Sequence, residues 1–211
     1  MPSKIAQQAD PPSGWPNSVV YLTKPVLSAS FDRALLPLLS DSDRFCPHPV
    51  LFPPTLQIKR IALPSHPANG QNGLFAKKKL AGSELLIPYL GVIHFSLQTE
   101  DGSVGKDEHS NSDYDLSLLR LSSSDARNPF KGYHLSIGVD ANKAGNAARF
   151  VNDYRGVRPV GPNAEFKLGR GAGGELRMEI WSLKDGIGKG DEVVVSYGKG
   201  WWGARNPGQG N

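Results

Sequence analysis

The segment GNAARFVNDYRG, residues Gly145–Gly156, is the part of the sequence from which the fold can be inferred. It has neither the repeat of about 3.6 residues of an amphipathic helix nor the alternation of a strand. Several charged and hydrogen-bonding side chains surround the short apolar pair Phe150–Val151. Such a segment is either a polar turn between strands or a place where polar groups meet a ligand. The rest of the chain must decide between these two interpretations.

The composition indicates one domain with a substantial core. The chain has 211 residues, of which 38% are hydrophobic and 21% charged. Its 24 glycines and 17 prolines favour short strands and turns over long helices. The single cysteine excludes an internal disulfide, and Cys46 with His48 falls short of the about four ligands of a structural zinc ion. We therefore predict no metal site.

The charge leaves nucleic-acid binding open. A net charge of +4 and an isoelectric point near 9.2 permit such contact without requiring it. The densest basic run, Lys77–Lys79, is either a solvated face or a phosphate contact. The N-terminal residues lack a signal-peptide pattern, and no run approaches the about 18 apolar residues of a membrane span. We expect a soluble protein that is neither secreted nor membrane-bound, with a monomer favoured.

Short apolar runs separated by Gly, Pro, Asn or Asp predict a mostly β chain. The predicted strands lie in LQIKRIAL (56–63), GLFAKKKL (73–80), SELLIPYLGVIH (83–94), YHLSIGVDA (133–141), ELRMEIWSL (175–183) and DEVVVSYG (191–198). In ELRMEIWSL, the alternation predicts Arg177 and Glu179 on the outer face. FDRALLPLLS (31–40) predicts a short helix interrupted at Pro37, and residues 97–111 predict a polar surface loop.

The run GRGAGG (169–174) satisfies the G-x-G-x-x-G pattern of dinucleotide-binding proteins. That pattern functions between a strand and a helix, because the helix N-terminus meets the pyrophosphate. Here the strand-like ELRMEIWSL follows. We therefore predict a hairpin loop and no nucleotide site.

Four segments occur in the order of a known family. They are NGQNGLFAKKKLAGSELLIPYLGVI (69–93), SDYDLSL (112–118), GVDANKAGNAARFVNDYRGVRPVGPNAEF (138–166) and IGKGDEVVVSYG (187–198). The sequence resembles the SET-domain protein-lysine methyltransferases, whose patterns include G-x-G-L-F-A, R-F-I-N-H-S-C-x-P-N and G-E-E-L-x-x-D-Y-G. GNAARFVNDY is similar to GNIARFISG of the plant PHD-finger histone H3 monomethylases.

The resemblance implies a fold of several small curved sheets with a threaded pseudoknot and a few short helices. It places a SET domain at residues 56–202. Residues 1–55 would then be an N-terminal arm that is partly disordered, and residues 203–211 a flexible tail. The RFVND run would belong to the threaded core.

The cofactor implied by the resemblance is S-adenosylmethionine, with S-adenosylhomocysteine as the product. Asn152 would contact the amino end of its methionine part, and the backbone of Asp153 would reach the adenine. Either Trp201 or Trp202 would close the cofactor site, or both anchor the C-terminal segment. The full set of cofactor-binding predictions is Asn72, Gly73, Tyr114, Arg149, Phe150, Asn152, Asp153, Tyr197, Trp201 and Trp202.

For catalysis the resemblance implies Tyr197, with its hydroxyl near the transferred methyl, and Tyr89 as a wall of the lysine channel. A substrate peptide would pair with a strand edge, and the predicted contacts are Asp113, Tyr114, Asp115, Leu116 and Val195. Together with Asp113 and Asp115, the acids of the loop 100–108 could attract a basic peptide; they are Glu100, Asp101, Asp107 and Glu108.

The sequence also departs from the family. Asp153-Tyr154-Arg155 stands where the family has His-Ser-Cys, and the cysteine-rich segments that flank many SET domains are absent. We expect a lysine methyltransferase that acts on a histone tail in the nucleus. The alternatives are a catalytically inactive peptide-binding SET module and a methyltransferase of a non-histone protein.

Overall fold

A computed structural model describes residues 10–41, 44–103, 105 and 108–198. Its strands are β1 Val20–Tyr21, β2 Val26–Leu27, β3 Leu56–Arg60, β4 Asn72–Ala76, β5 Leu85–Tyr89, β6 Val92–Thr99, β7 Asp115–Leu121, β8 Tyr133–Asp140, β9 Ala144–Gly145, β10 Asn152–Asp153, β11 Ala164–Arg170, β12 Leu176–Ser182 and β13 Val194–Val195. The helices are short: a 3-10 helix Arg33–Leu35 that continues into α1 Leu36–Leu39, and a 3-10 helix Ala147–Phe150. The described residues are mostly β, in several small sheets, as the sequence predicted.

The chain divides into two compact units, each made of segments that are distant in sequence. The first unit comprises the chain up to Pro53 together with Ile87–Arg149 and Lys167–Glu179. The second comprises Pro54–Leu86, Phe150–Phe166 and the chain from Ile180 onward. The domain boundaries inferred from the sequence stay predictions.

A four-stranded sheet in the order β2-β6-β8-β7 forms the centre of the first unit. β6 and β7 both pair antiparallel with β8, and a bulge interrupts the β7–β8 register between Ser117 and Leu119. The short β1 pairs in parallel with β9. Burial of each large apolar side chain stabilises the fold by about 1.5–3 kcal/mol. The buried residues of this sheet include Ile93, Leu118, Leu121, Leu135, Ile137 and Val139.

The second unit contains two small strand pairs. β3 and β4 are antiparallel, whereas β10 and β13 are parallel, with Asn152 opposite Val194 and Asp153 opposite Val195. Two isolated antiparallel bridges pair Phe75 with Glu192 and Leu80 with Ile187. The core consists of apolar side chains that are almost fully buried, among them Leu56, Leu74, Ile187, Val193, Val194 and Val195. The β10–β13 pair brings the third and fourth segments of the resemblance side by side.

The glycine-rich run forms a loop between two neighbouring strands of a third sheet, whose order is β11-β12-β5. The predicted hairpin loop is therefore confirmed. A side chain on Gly171 would collide with the carboxylate of Glu175, and one on Gly169 would collide with that of Glu179. These glycines provide space for two buried glutamates, which explains the pattern without a nucleotide.

The prediction that Glu179 lies on the outer face of β12 was wrong. Its side chain is buried and accepts a hydrogen bond from Nε of Arg177 at 2.7 Å. The alternation of apolar and polar residues cannot reveal this arrangement, because a buried carboxylate depends on a nearby basic partner.

Three other predictions also need correction. Pro37 does not interrupt the helix, because it lies in the first turn of α1, where its missing N–H has no helical partner to lose. The predicted loop 97–111 begins later, since β6 extends to Thr99. SELLIPYLGVIH forms two strands, β5 and β6, which belong to different sheets, so the chain must turn at Leu90–Gly91.

Candidate functional site

The residues predicted for the site lie in both units. The second unit holds Asn72, Gly73, Phe150, Asn152, Asp153, Val195 and Tyr197, and the first holds Tyr89, Asp113, Tyr114, Asp115, Leu116 and Arg149. Trp201 and Trp202 lie outside the described residues, as does Asp107.

A hydrogen-bonded chain joins three polar side chains of the second unit. Nδ2 of Asn152 donates to Oε1 of Glu192 at 2.7 Å, and Nε2 of His66 lies 2.9 Å from Oε2 of the same carboxylate. His66 and Glu192 are each only 8% exposed, whereas Asn152 is half-buried. Together with Gly73, these residues form what we call the Asn152 cluster.

The protonation of His66 follows from its neighbours. Its Nδ1 accepts the backbone N–H of Ala68 at 3.0 Å, so this nitrogen carries no proton. The ring proton is then on Nε2, which donates to Glu192. The carboxylate thus accepts one hydrogen bond at each oxygen, and both donors are neutral.

The backbone around Glu192 is held on both sides. Its carbonyl accepts Nδ2 of Asn163 at 2.8 Å, and the following residue, Val193, donates its N–H to Leu74 at 2.8 Å. A Cβ on Gly73 would lie 2.8 Å from Oε1 of Glu192, closer than real side chains come. Gly73 was predicted to allow a close backbone approach of the cofactor, and the structure shows that its missing side chain makes room for Glu192.

Asp153 uses its side chain to organise the chain around it. Oδ1 accepts the backbone N–H of Arg155 at 2.9 Å, and Oδ2 accepts the backbone N–H of Tyr197 at 2.7 Å. Nη1 of Arg155 lies 2.9 Å from Oδ2, so a cation accompanies this buried carboxylate. The negative charge that distinguishes this position from the histidine of the family pattern is therefore paired within the protein.

The phenol of Tyr197 lies against the carbonyl of Val151, to which its hydroxyl donates at 2.9 Å. Because Val151 directly precedes Asn152, the hydroxyl of Tyr197 is hydrogen-bonded to the residue next to Asn152. Phe150 is 6% exposed and Val195 is fully buried in β13. Asn72 contributes its carbonyl, 3.5 Å from Nδ2 of Asn152.

In the first unit the backbone and ring of Tyr114 are both engaged. Its carbonyl accepts the hydroxyl of Tyr89 at 2.8 Å and the backbone N–H of Ala141 at 3.1 Å. The guanidinium of Arg149 lies over its ring at 4.1 Å, and Nε of Arg149 donates to the carbonyl of Ala141 at 2.9 Å. The predicted residues Tyr89, Tyr114 and Arg149 are thus brought together.

The predicted peptide-binding residue Asp115 has a partner within the protein. Nε2 of His94, on β6, lies 2.8 Å from Oδ1 of Asp115, on β7. The two side chains meet over β8, where a Cβ on Gly138 would lie 2.6 Å from Nε2 and 2.7 Å from Oδ1. The ring of His94 also stacks on that of His109 at 3.9 Å. Asp113 is exposed and Leu116 is half-buried.

The sequence analysis did not identify Glu192, His66 or His94. Glu192 stands in the quoted segment DEVVVSYG and matches the second glutamate of the G-E-E-L pattern, which is the signal that could have identified it. His66 lies in a loop without periodicity, and its partner is 126 positions away, so no local pattern could find it.

Within the part of the chain that the structure describes, no three His, Cys, Asp or Glu residues are grouped as a metal site requires. In the same residues, no helix has the length and apolar character needed to cross a membrane.

Comparison with known proteins gives matches among solved structures alone. No family model matches, and no curated protein matches. The chain is similar to Chaetomium thermophilum Polycomb Repressive Complex 2 bound to GSK126, with 22% identity, a TM-score of 0.43 and coverage of 68% of this chain and 16% of that one. It is similar to the same complex in an autoinhibited conformation bound to S-adenosylmethionine, with 22% identity, a TM-score of 0.42 and coverage of 72% and 17%.

A further similarity is to the ATXR5 SET domain in complex with di-methylated histone H3, with 18% identity, a TM-score of 0.45 and coverage of 68% of this chain and 57% of that one. The chain thus spans about a sixth of the length of the first relatives.

Proposed function

We propose that the chain is an S-adenosylmethionine-dependent protein-lysine N-methyltransferase. The observation that supports this most is the parallel pairing of β10 with β13, which joins the RFVND and DEVVVSYG segments. Through this pairing the hydroxyl of Tyr197 meets the carbonyl of Val151, next to Asn152. Two segments that resemble the family separately are therefore also combined in space.

In this proposal the Asn152 cluster binds the amino-acid end of the cofactor. The side chain of Asn152 is half-buried and held by Glu192, so it can offer a fixed polar group to a ligand. The backbone of Asp153 would face the adenine, while its carboxylate accepts the backbone N–H groups of Arg155 and Tyr197. The aspartate therefore replaces the family's histidine without adding an unpaired charge.

Methyl transfer from a sulfonium to an amine is an in-line displacement, in which the lysine nitrogen attacks the methyl carbon and the sulfur leaves with the bonding electrons. Positioning of the two reactants can supply on the order of 7–11 kcal/mol. In this proposal the hydroxyl of Tyr197 lies near the methyl group that is transferred. When bound, the sulfonium would lower the pKa of the substrate lysine by its positive charge, so the lysine would lose its proton to solvent before the transfer without a dedicated base.

The substrate is proposed to be a lysine-containing peptide that pairs with β7. This strand is the last in the order β2-β6-β8-β7, so among the described strands none pairs with its outer edge, where a peptide strand could add. Asp113 lies just before β7 and Asp115 begins it, and although Asp115 is hydrogen-bonded to His94, we propose that the two carboxylates attract a basic peptide to this edge. A histone tail has that character, and a nuclear location follows from it. The roles of Tyr89, Tyr114 and Arg149 remain as the resemblance implies them.

The test measures cofactor binding first and transfer second. Titration calorimetry with S-adenosylmethionine on the wild type, Asn152→Ala and the exposed control Asn142→Ala should show binding that is lost in Asn152→Ala alone. Tyr197→Phe should keep binding and lose methyl transfer to histones or cell extract, while the exposed control Tyr133→Phe keeps both. A folded wild type that binds no cofactor would remove the proposal and favour the peptide-binding module.

A further inference from the structure

A buried carboxylate lies at the centre of the Asn152 cluster, hydrogen-bonded to an amide and an imidazole. The side chain of Glu192 is 7% exposed. Among the residues that the structure describes, no lysine or arginine forms an ion pair with it. Burial of a carboxylate is costly unless hydrogen bonds or a cation compensate it. The two hydrogen bonds from Asn152 and His66 come from neutral groups, so the negative charge itself is not balanced by this part of the chain.

Glu192 also determines which way the amide of Asn152 faces. An ionised carboxylate can only accept hydrogen bonds, so Asn152 must turn its NH2 group toward Oε1. The same nitrogen is 3.5 Å from the carbonyl of Asn72, which is also an acceptor. The oxygen Oδ1 is consequently the atom of Asn152 that is left to meet a ligand.

His66 fixes Glu192 in turn. Because its Nδ1 is occupied by the N–H of Ala68, its Nε2–H is directed at Oε2 of Glu192. The three side chains form a directed series in which each donor has one acceptor. The last member of the series presents an acceptor oxygen beside a buried negative charge.

We propose that His66 and Glu192 are positioning residues that fix Asn152 as an acceptor and thereby select a ligand carrying an ammonium group. An ammonium offers donors alone and a positive charge, which match both features. The inference rests on the proposed function, in which the ligand is S-adenosylmethionine and the ammonium is that of its methionine part. It adds to that function a reason for the choice of ligand, located in Glu192, which matches the second glutamate of the quoted G-E-E-L pattern, and in His66, which lies outside the four quoted segments.

The substitution Glu192→Gln tests whether Glu192 determines the orientation of the Asn152 amide. His66 still donates, so the oxygen of the new glutamine must face His66 and its NH2 must face Asn152. The amide of Asn152 then has to invert and present NH2 to the ligand. Titration calorimetry uses S-adenosylhomocysteine and its analogue with hydrogen in place of the α-amino group. The wild type should prefer the amino form by about tenfold or more, and the variant should bind the two with a ratio near one.

Controls separate positioning from stability. Glu175→Gln changes another buried glutamate, outside the Asn152 cluster, and should keep the wild-type preference. His66→Phe should lower the preference, and His66→Gln, which retains one donor and one acceptor, should restore part of it. The ratio of the two affinities is informative even if a variant is less stable, because both ligands are measured on the same folded sample.

The outcomes distinguish the two proposals. If the wild type binds neither ligand, the proposed function and this inference both fail. If it binds both and Glu192→Gln leaves their ratio at the wild-type value, the function stands and the roles of Glu192 and His66 are disproved. A fall in the ratio in Glu192→Gln and His66→Phe, with Glu175→Gln unchanged, supports the inference.

Discussion

The carboxylate of Asp153 accepts the backbone N–H of Tyr197 at 2.7 Å, across 44 positions of sequence. The same carboxylate holds the turn at Arg155, so one side chain sets both the path of the chain after β10 and the position of Tyr197. A residue that departs from the family pattern is thus integrated into the local structure.

We expect Asp153→Ala to lower the free energy of unfolding by about 1.5–3 kcal/mol, because hydrogen bonds to a charged group in a buried position are lost. Asp153→Asn keeps an acceptor and should cost less. Urea unfolding measures both. Arg155→Gln is the control: its ion pair is partly exposed and should be worth about 1 kcal/mol or less. An equal loss in Arg155→Gln and Asp153→Ala would show that the contact with Tyr197 contributes little.

Gly138 is expected to be sensitive because His94 and Asp115 meet above it. Gly138→Ala should cost about 1–3 kcal/mol of unfolding free energy through overpacking. In the His94→Ala background the same change should cost less, and the difference should lie within the range of about 0.5–3 kcal/mol seen for residues in contact.

Thermal or urea unfolding of the wild type, Gly138→Ala, His94→Ala and the double variant gives the coupling free energy between the two positions. Gly105→Ala serves as the matched glycine control, since its Cβ would make only an ordinary contact, 3.8 Å from the carbonyl of Leu97. A cost of Gly138→Ala that is the same with and without His94 would contradict the prediction.

Arg149 should not be replaceable by lysine. Its planar guanidinium lies over the ring of Tyr114 while Nε donates to Ala141, and a lysine cannot do both. We expect Arg149→Lys to lower the free energy of unfolding by about 0.5–2 kcal/mol, the range of a cation–π contact. Arg120→Lys, at an exposed position of β7, is the control in the same urea experiment and should be neutral. Equal behaviour of the two variants would refute a special role of Arg149.

The hydrogen bond from the side chain of Arg127 lowers the pKa of Asp125 to about 2, from its ordinary value of 3.8. Because the folded-state pKa lies below the unfolded one, the bond stabilises the fold above the unfolded pKa, and this contribution disappears as the pH falls through about 2. NMR titration of the Asp125 carboxyl should show the low value, and Arg127→Gln should raise it toward 3.8. Lys131→Gln, a minor contributor, should shift it little; a shift as large as that of Arg127→Gln would assign the effect to general charge.

Local patterns predicted the strands well where one apolar run corresponds to one strand. LQIKRIAL contains β3 and YHLSIGVDA contains β8. The helix at Pro37 was misjudged because a proline is unfavourable inside a helix but acceptable in its first turn.

The buried charges could not be predicted from local sequence. Glu179 alternates with apolar residues as a surface residue does, and its burial depends on the guanidinium of Arg177 and the space at Gly169. Glu192 likewise depends on Gly73 and on His66, which belong to other segments of the chain. The motifs identified Asn152 and Tyr197, but the groups that orient Asn152 were visible only in three dimensions.

The separation of His66 and Glu192 also has a consequence for the order of events on the ribosome. The two residues are 126 positions apart. At about 5–20 residues per second, roughly 6–25 s pass between the synthesis of one and the synthesis of the other. Throughout that interval the imidazole of His66 has no carboxylate to bind, and the amide of Asn152 lacks one for the last 40 positions of it. The β3–β4 hairpin can therefore form early in translation, whereas the polar centre beside it is completed only when the last strand pairs with β10.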